Sequence, residues 1–381
     1  MACLNCELST LPKTSSSLGV WLIGAAGNIA ATIAVGLAAF RKRLAPLNGL
    51  VTEQQIFKPL DLAPLDRIVL GGHEIRRQSV IQTARDLYEH SGLFSNKLLS
   101  AVEPDLRQFE REICTGTVVS GGPALQRLAT RSGSRTASSA SSTLKRLRGD
   151  LLRFKKRHKL DRLVVINVAS SEPPCRITVN HKRWNTLERA LSRRGPAVIP
   201  PSSLYAIAAI EEWAPYVNFT PSCGPDLPAI RERAATLSVP IMGCDGKTGE
   251  TLLKTVVGPM FRERSLEVLS WVGHNILGNT DGRVLSTHSN RSAKIGNKER
   301  VLASVLGHKP QSHTSIEYVE SLHDWKTAWD HIHFRGFLGT KMSLQLIWQG
   351  CDSILAAPLV IDLARLADHD IRTGGGGVMT H

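Results

Sequence analysis

At 381 residues with 42% apolar content, the chain is long enough to bury a sizeable core and to form two structural units. Its formal charge of +14 suits nucleic acid, an acidic membrane surface or a phosphorylated metabolite equally, so the placement of the charge has to decide. Of seven scattered cysteines only Cys3 and Cys6 lie close together, with no second pair at metal spacing, and no further His or Cys completes a zinc pattern around His331 and His333. No metal site and reduced thiols in a cytoplasmic protein are expected.

Residues 1–17 lack the charged and apolar regions of a signal peptide and read as a mobile N-terminus. Residues 18–40 carry no charge and precede Arg41-Lys42-Arg43, which would suit a membrane helix. Gly24, Gly27, Asn28 and Thr32 interrupt them, so the reading is a strand at Val20-Trp21-Leu22-Ile23, a tight turn and a helix, with no membrane partner. The turn Gly24-Ala25-Ala26-Gly27-Asn28-Ile29-Ala30 is a degraded G-x-G-x-x-G/A, a shape that brings backbone N–H groups at a helix start to a pyrophosphate. Ala26 stands at the second glycine, where its methyl is expected to crowd that approach.

Apolar, β-branched runs at 67–70, 162–167, 216–219 and 239–242 supply further strands, with helical stretches between them, so an α/β fold with a largely parallel sheet follows. The Ser-, Thr- and Ala-rich residues 131–143 are expected to form a surface loop. The densest basic run, 145–162, carries Leu144, Leu147, Leu151, Phe154 and His158 at helical spacing, which makes it the solvated face of an amphipathic helix rather than a nucleic-acid patch.

Gly243-Cys244-Asp245-Gly246-Lys247-Thr248-Gly249-Glu250-Thr251 contains a GKT, but a Walker A motif needs glycine at 241, where Ile241 stands. What remains is a glycine-flanked loop fit to cradle one phosphate at a helix start, or an ordinary solvated turn. A strand at 266–272 leads into the glycine-rich run 273–282, expected as a tight turn gathering amide and carboxylate side chains. Lys294 and Lys298 follow, four apart and on one face if helical; held near Lys326 they would repel one another without an anion between them. An apolar helix is expected over 352–366.

The blocks 243–251, 278–282, 291–298, Asp324-Trp325-Lys326 with Asp330, and 352–363 resemble, in the same order, those of the inositol-3-phosphate synthase family. Upstream, the Gly24 turn, Asn167-Val168-Ala169-Ser170-Ser171-Glu172 and Asn218-Phe219-Thr220-Pro221 are similar too, so the resemblance runs from residue 18 to about 366. It implies a Rossmann-like NAD-binding domain over 18–250, an inserted α+β catalytic and tetramerisation domain over 251–350, and a return to the first domain over 351–381. It also implies NAD as cofactor, glucose 6-phosphate as substrate, a homotetramer and no nucleic-acid partner. In the implied reaction, carbon 5 of the open-chain sugar is oxidised, carbon 6 attacks the carbon 1 aldehyde, and the ring ketone is reduced again to give 1D-myo-inositol 3-phosphate.

By the same resemblance Lys294 and Lys326 face the reacting oxygens, Lys298 sits near the phosphate, and Asp281 lines the catalytic site. Thr248, Gly249, Asn279 and Lys298 receive the phosphate. Gly24, Ala26, Gly27, Asn28, Ile29, Ser170, Glu172, Asp245, Asp352 and Ser353 surround the cofactor. The chain departs from the eukaryotic pattern at Ala26 and Ala30, which replace glycines, and at Glu250, which replaces glutamine and puts a carboxylate beside the phosphate unless it points away. Related sequences continue past the position of His381 into a segment with a further active-site lysine, which this chain is expected to lack either by truncation or by genuine loss. A different NAD-dependent sugar-phosphate dehydrogenase or cyclase, and a catalytically silent NAD-binding homologue, are the alternative readings.

Overall fold

The computed structural model describes residues 17–135, 139–193, 198–285 and 302–380. Its first strand, β1 (Leu18–Ile23), is buried along its whole length and sits inside a seven-stranded parallel sheet. The other strands are β2 (Ile68–Glu74), β3 (Ile113–Thr115), β4 (Arg162–Asn167), β5 (Tyr216–Asn218), β6 (Pro240–Met242) and β11 (Gly377–Val378), in the order β11-β6-β5-β4-β1-β2-β3. Strands buried on both faces read as continuous apolar runs, which is why β1 and β4 were legible without alternation. The strand order reverses direction between β1 and β4, whose C-terminal ends, Ile23 and Asn167, are in register. In open parallel sheets that is where ligands bind.

Helices cover both faces. On one lie α1 (Asn28–Arg41), α2 (Val80–Ser91), α3 (Asn96–Arg111) and α11 (Asp352–Arg372). The other carries α5 (Ala140–Arg157), α6 (Trp184–Ser192), α7 (Pro201–Ile210) and α8 (Pro228–Thr236), while α4 (Gly122–Leu128) packs beside Val284 in a smaller cluster. Helix α1 is buried on nearly all sides because α2, α3 and α11 pack around it, and this accounts for the uncharged run that could have passed for a membrane span. Among the described residues no helix is long and apolar enough to cross a membrane. The loop expected over 131–143 is shorter than that: Ser139 accepts from the Ser142 N–H and caps α5, so 140–143 form its first turn, and 136–138 lie outside the described residues.

After β6 the chain forms α9 (Glu250–Glu263), which packs on a second sheet of order β10-β9-β7-β8. Here β7 (Glu267–Leu277) runs parallel to β8 (Gln311–Tyr318) and antiparallel to β9 (Trp325–Arg335), which in turn pairs with β10 (Lys341–Cys351). Phe261 of α9, Trp271 and Ile332 form its core. The run 273–282 is not one turn, as expected from its glycines. Residues 273–277 continue β7, because Trp271, Gly273, Asn275 and Leu277 alternate onto the covered face, and only Gly278 and Asn279 turn the chain into α10 (Thr280–Leu285). From Cys351 the chain re-enters the first sheet's layer as α11, longer than the predicted 352–366, and ends in β11 beside β6.

Candidate active site

The nucleotide turn leaves β1 through Gly24, whose φ of 89° and approach to Ala169, 2.9 Å from where a Cβ would stand, admit only glycine. The N–H groups of Gly24 and Ala25 donate to the His73 carbonyl at 2.9 and 3.1 Å, and that of Gly27 donates to the Gly24 carbonyl at 3.0 Å. Gly27 is the extended N-cap of α1, and a Cβ there would meet the Gly24 carbonyl at 3.2 Å and otherwise only Arg76, at 3.8 Å. The first N–H groups of α1 have no intrahelical acceptor, the helix carries no acidic residue in its first turn, and the space above Gly27 is open, so the turn fits the pyrophosphate of NAD. Ala26 behaves otherwise than expected. Its N–H donates to Glu74 Oε2 at 3.0 Å, its methyl is fully buried away from the cleft, and Ala30 is buried likewise. The alanines therefore fill the turn's underside and leave the cofactor's approach clear.

The turn opens on a cleft bounded by the ends of β1, β2 and β4 and by the second sheet. Of the described residues assigned to the site, Gly24, Gly27, Asn28, Ile29, Ser170, Glu172, Asp245, Thr248, Gly249, Asn279, Asp281, Lys326, Asp352 and Ser353 all line it, and Ala26 does not. Lys294 and Lys298 lie outside the described residues.

Two aspartates hold these segments together. Asp352, at the start of α11, lies 3.4 Å from Lys326 Nζ and accepts hydrogen bonds from Thr248 Oγ1 at 3.4 Å and Asn279 Nδ2 at 3.0 Å. Asp324 accepts from Asn28 Nδ2 at 2.9 Å and from the Ser353 N–H and hydroxyl at 3.0 and 2.6 Å, so it ties α1 to α11. Burial pushes its carboxyl up to about 6 against the pull of Ser353 and Asn28. Lys326, second residue of β9, reaches over the Thr248-Gly249 loop: its Nζ and Cε lie 3.0 Å from where a Cβ on Gly249 would stand. Asp281 Oδ1 accepts from the Ser171 N–H and hydroxyl at 3.1 and 3.0 Å. Gly278 makes the Asn279 turn possible, since a Cβ there would stand 2.4 Å from the His323 nitrogen.

Three further charged groups are engaged by other groups of the protein. Lys247 folds back on its own loop, its Nζ bonded to the Asp245 carbonyl and 3.7 Å from the Asp245 carboxylate. The Glu172 carboxylate accepts the Ser202 N–H at 2.8 Å and its hydroxyl, at the start of α7. Glu250 is buried and paired with Lys254, Nζ to Oε1 at 2.6 Å.

Glu74 and Lys254 were not singled out from the sequence, and Asp324 was named only within a matching block, with no role of its own. Glu74 ends β2, where nucleotide folds place an acid about 20 residues after the glycines; here the 3-10 turns between α1 and β2 more than double that distance. Its carboxylate is occupied by the Ala26, Ile75 and Arg76 N–H groups and the Arg76 guanidinium. Among the described residues one group of side chains could share a metal ion, Asp86, Glu89 and His90 on α2, outside the cleft.

A family model for NAD-binding proteins, described as myo-inositol-1-phosphate synthase, matches residues 18–374. The chain is 33% identical to inositol-3-phosphate synthase 1 of Bacteroides thetaiotaomicron, over 97% of this chain and 89% of that protein. It is 27% identical to inositol-3-phosphate synthase of Spirodela polyrhiza, over 93% of this chain and 75% of that protein. Its fold matches the crystal structures of inositol-3-phosphate synthase from Caenorhabditis elegans (TM-score 0.82, 22% identity, covering 94% and 76% of the two chains) and of a related protein from Thermotoga maritima (0.73, 21%, 95% and 90%). With a family model spanning nearly the whole chain and a relative one-third identical along it, the protein belongs to the myo-inositol-1-phosphate synthase family, whose members bind NAD.

Proposed function

We propose that the chain is an inositol-3-phosphate synthase converting glucose 6-phosphate to 1D-myo-inositol 3-phosphate with no net oxidation. The observation that carries this reading is convergence. The nucleotide turn, the Thr248-Gly249 loop, the Asn279 turn, Lys326 and the start of α11 are distant in sequence, yet they line one cleft at the switch point of the parallel sheet. A simple dehydrogenase needs the first of these; a lysine poised over a phosphate loop is what a reaction with developing oxyanions requires.

Gly24, Gly27, Asn28 and Ile29 would hold the cofactor, which when bound takes a hydride from the sugar and later returns it. Thr248 Oγ1 and the Gly249 N–H receive the substrate phosphate at the start of α9, where the helix dipole favours an anion. Lys326, held by Asp352, stabilises negative charge on the reacting oxygens, and Asn279 and Asp281 orient the sugar hydroxyls. Lys294 and Lys298 add the further cations that enolate and alkoxide stages call for. In this reading residues 18–250 and 351–381 form the cofactor domain, residues 251–350 the inserted catalytic domain, and the protein works as a cytoplasmic homotetramer.

The test is to incubate the purified chain with NAD and glucose 6-phosphate and to identify the product by phosphorus and proton NMR. Inositol phosphate without accumulating NADH is the expected result. Accumulating NADH would identify a dehydrogenase, and NAD binding without product a silent homologue. Light scattering on the same sample reads the assembly.

A further inference from the structure

Beneath the phosphate loop lies a buried polar cluster that the proposed chemistry does not use. Glu250 is the first residue of α9, directly after Gly249, and Lys254 follows one turn later on the same face; both side chains are at most 1% exposed. Lys254 Nζ lies 2.6 Å from Glu250 Oε1 and donates to Thr314 Oγ1 of β8 at 3.4 Å. Asn275 of β7 donates to Glu250 Oε2. A second carboxylate, Asp330 of β9, is wholly buried and accepts from Trp271 Nε1 at 2.6 Å. Gly273 makes the room: a Cβ there would stand 2.3 Å from Glu250 Oε1 and 3.0 Å from Asp330 Oδ1. The cluster staples the first turn of α9 to the same sheet that presents Lys326.

We propose that Lys254 is a positioning residue for the substrate's phosphate: it anchors the Glu250 carboxylate against the second sheet, keeping that negative charge off the Thr248-Gly249 loop and fixing the turn that receives the anion. The inference rests on the reading of that loop as the phosphate site. Removing one partner of a buried ion pair leaves a charge that must protonate, or swing toward the most polar space within reach. Glu250 borders the cleft, so for it that space is the phosphate site. A carboxylate arriving there repels a phosphate dianion, and it does so only while ionised.

The experiment titrates the full-length chain with inorganic phosphate and separately with NAD, at about pH 4 and about pH 8. For Lys254→Met, phosphate affinity should fall about tenfold or more relative to wild type at the higher pH, and the ratio should close toward unity at the lower pH as Glu250 takes up a proton. NAD affinity should stay at the wild-type value. Glu250→Gln with Lys254→Met, a neutral pair of similar shape, should restore phosphate binding at both pH values, and Glu250→Gln alone should bind phosphate at least as tightly as wild type.

Wild-type phosphate affinity in Lys254→Met, a loss that is independent of pH or unrepaired in the double variant, or an equal loss for NAD would each overturn the proposal. If Lys254→Met does not fold, weakened phosphate binding in Glu250→Gln alone would do so. A wild-type chain that binds no phosphate would overturn the loop assignment and this inference together. The readout needs no turnover, so failure to form inositol phosphate counts against the reaction and not against Lys254.

Discussion

Replacing Glu172 by glutamine should make the protein more stable above neutral pH and leave it unchanged in acid. Glu172 is 5% exposed, with its carboxylate turned into the first turn of α7. Burial raises its pKa from an ordinary 4.5 to about 7, and the two donors of Ser202 offset only part of that desolvation. The folded chain therefore holds a proton at this site where the unfolded chain has released it. Between the two values the folded state binds more protons, so stability falls as pH rises and levels off above about 7.

At about 1.4 kcal/mol for each pH unit of displacement, the penalty at full ionisation is about 3 kcal/mol. Glutamine keeps the shape and removes the titration. Thermal unfolding of the cofactor-free wild type and Glu172→Gln, from about pH 4 to pH 9, measures the difference curve directly, and Asp324, which titrates lower, cancels from it. The curve should be flat in acid, rise through the region below pH 7 and end with the variant several degrees more stable. Parallel profiles, or a variant less stable above neutrality, would refute the assignment of a protonated buried carboxyl.

Lys326→Met should lower turnover about 100-fold or more with NAD affinity unchanged, since its ammonium lies over the Thr248-Gly249 loop and not at the turn of residues 24–27; steady-state rates beside NAD titration check both halves. The same outcome is expected of Lys294→Ala. Gly27→Val should fold, because the position is extended, yet bind NAD more weakly, as the branched side chain fills the open space above the turn; calorimetry decides it. Gly278→Ala should cost about 1–3 kcal/mol in chemical denaturation, because its methyl meets the backbone at His323 and Val319, and should lower substrate affinity by moving Asn279.

The sequence by itself determined the elements whose signal is local. A strand buried on both faces must be apolar along its length, so β1 and β4 were visible as runs. A turn that needs φ near 90° must carry glycine, so Gly24 marked the nucleotide turn. The order of short blocks carried the family resemblance, and Thr248, Asn279, Lys326 and Asp352, each named from its own block, line one cleft in the fold.

Tertiary structure decided where side chains point. Glu250 beside a phosphate loop is unfavourable in the sequence, and only the arrival of Lys254 and Asn275 shows it drawn into a different environment. Ala26 looked like an obstruction until Glu74, delayed by the insertion before β2, took its N–H and turned its methyl inward. The run 273–282 read as a turn because glycine signals freedom, whereas Gly273 is there to make space for two carboxylates from other elements. Lys326 looked like a cation in need of a partner, and Asp352, 26 residues further along, supplies one. Propensity and spacing act within one stretch of chain, while charge pairing, desolvation and close packing depend on neighbours that only the folded arrangement brings within a few ångströms.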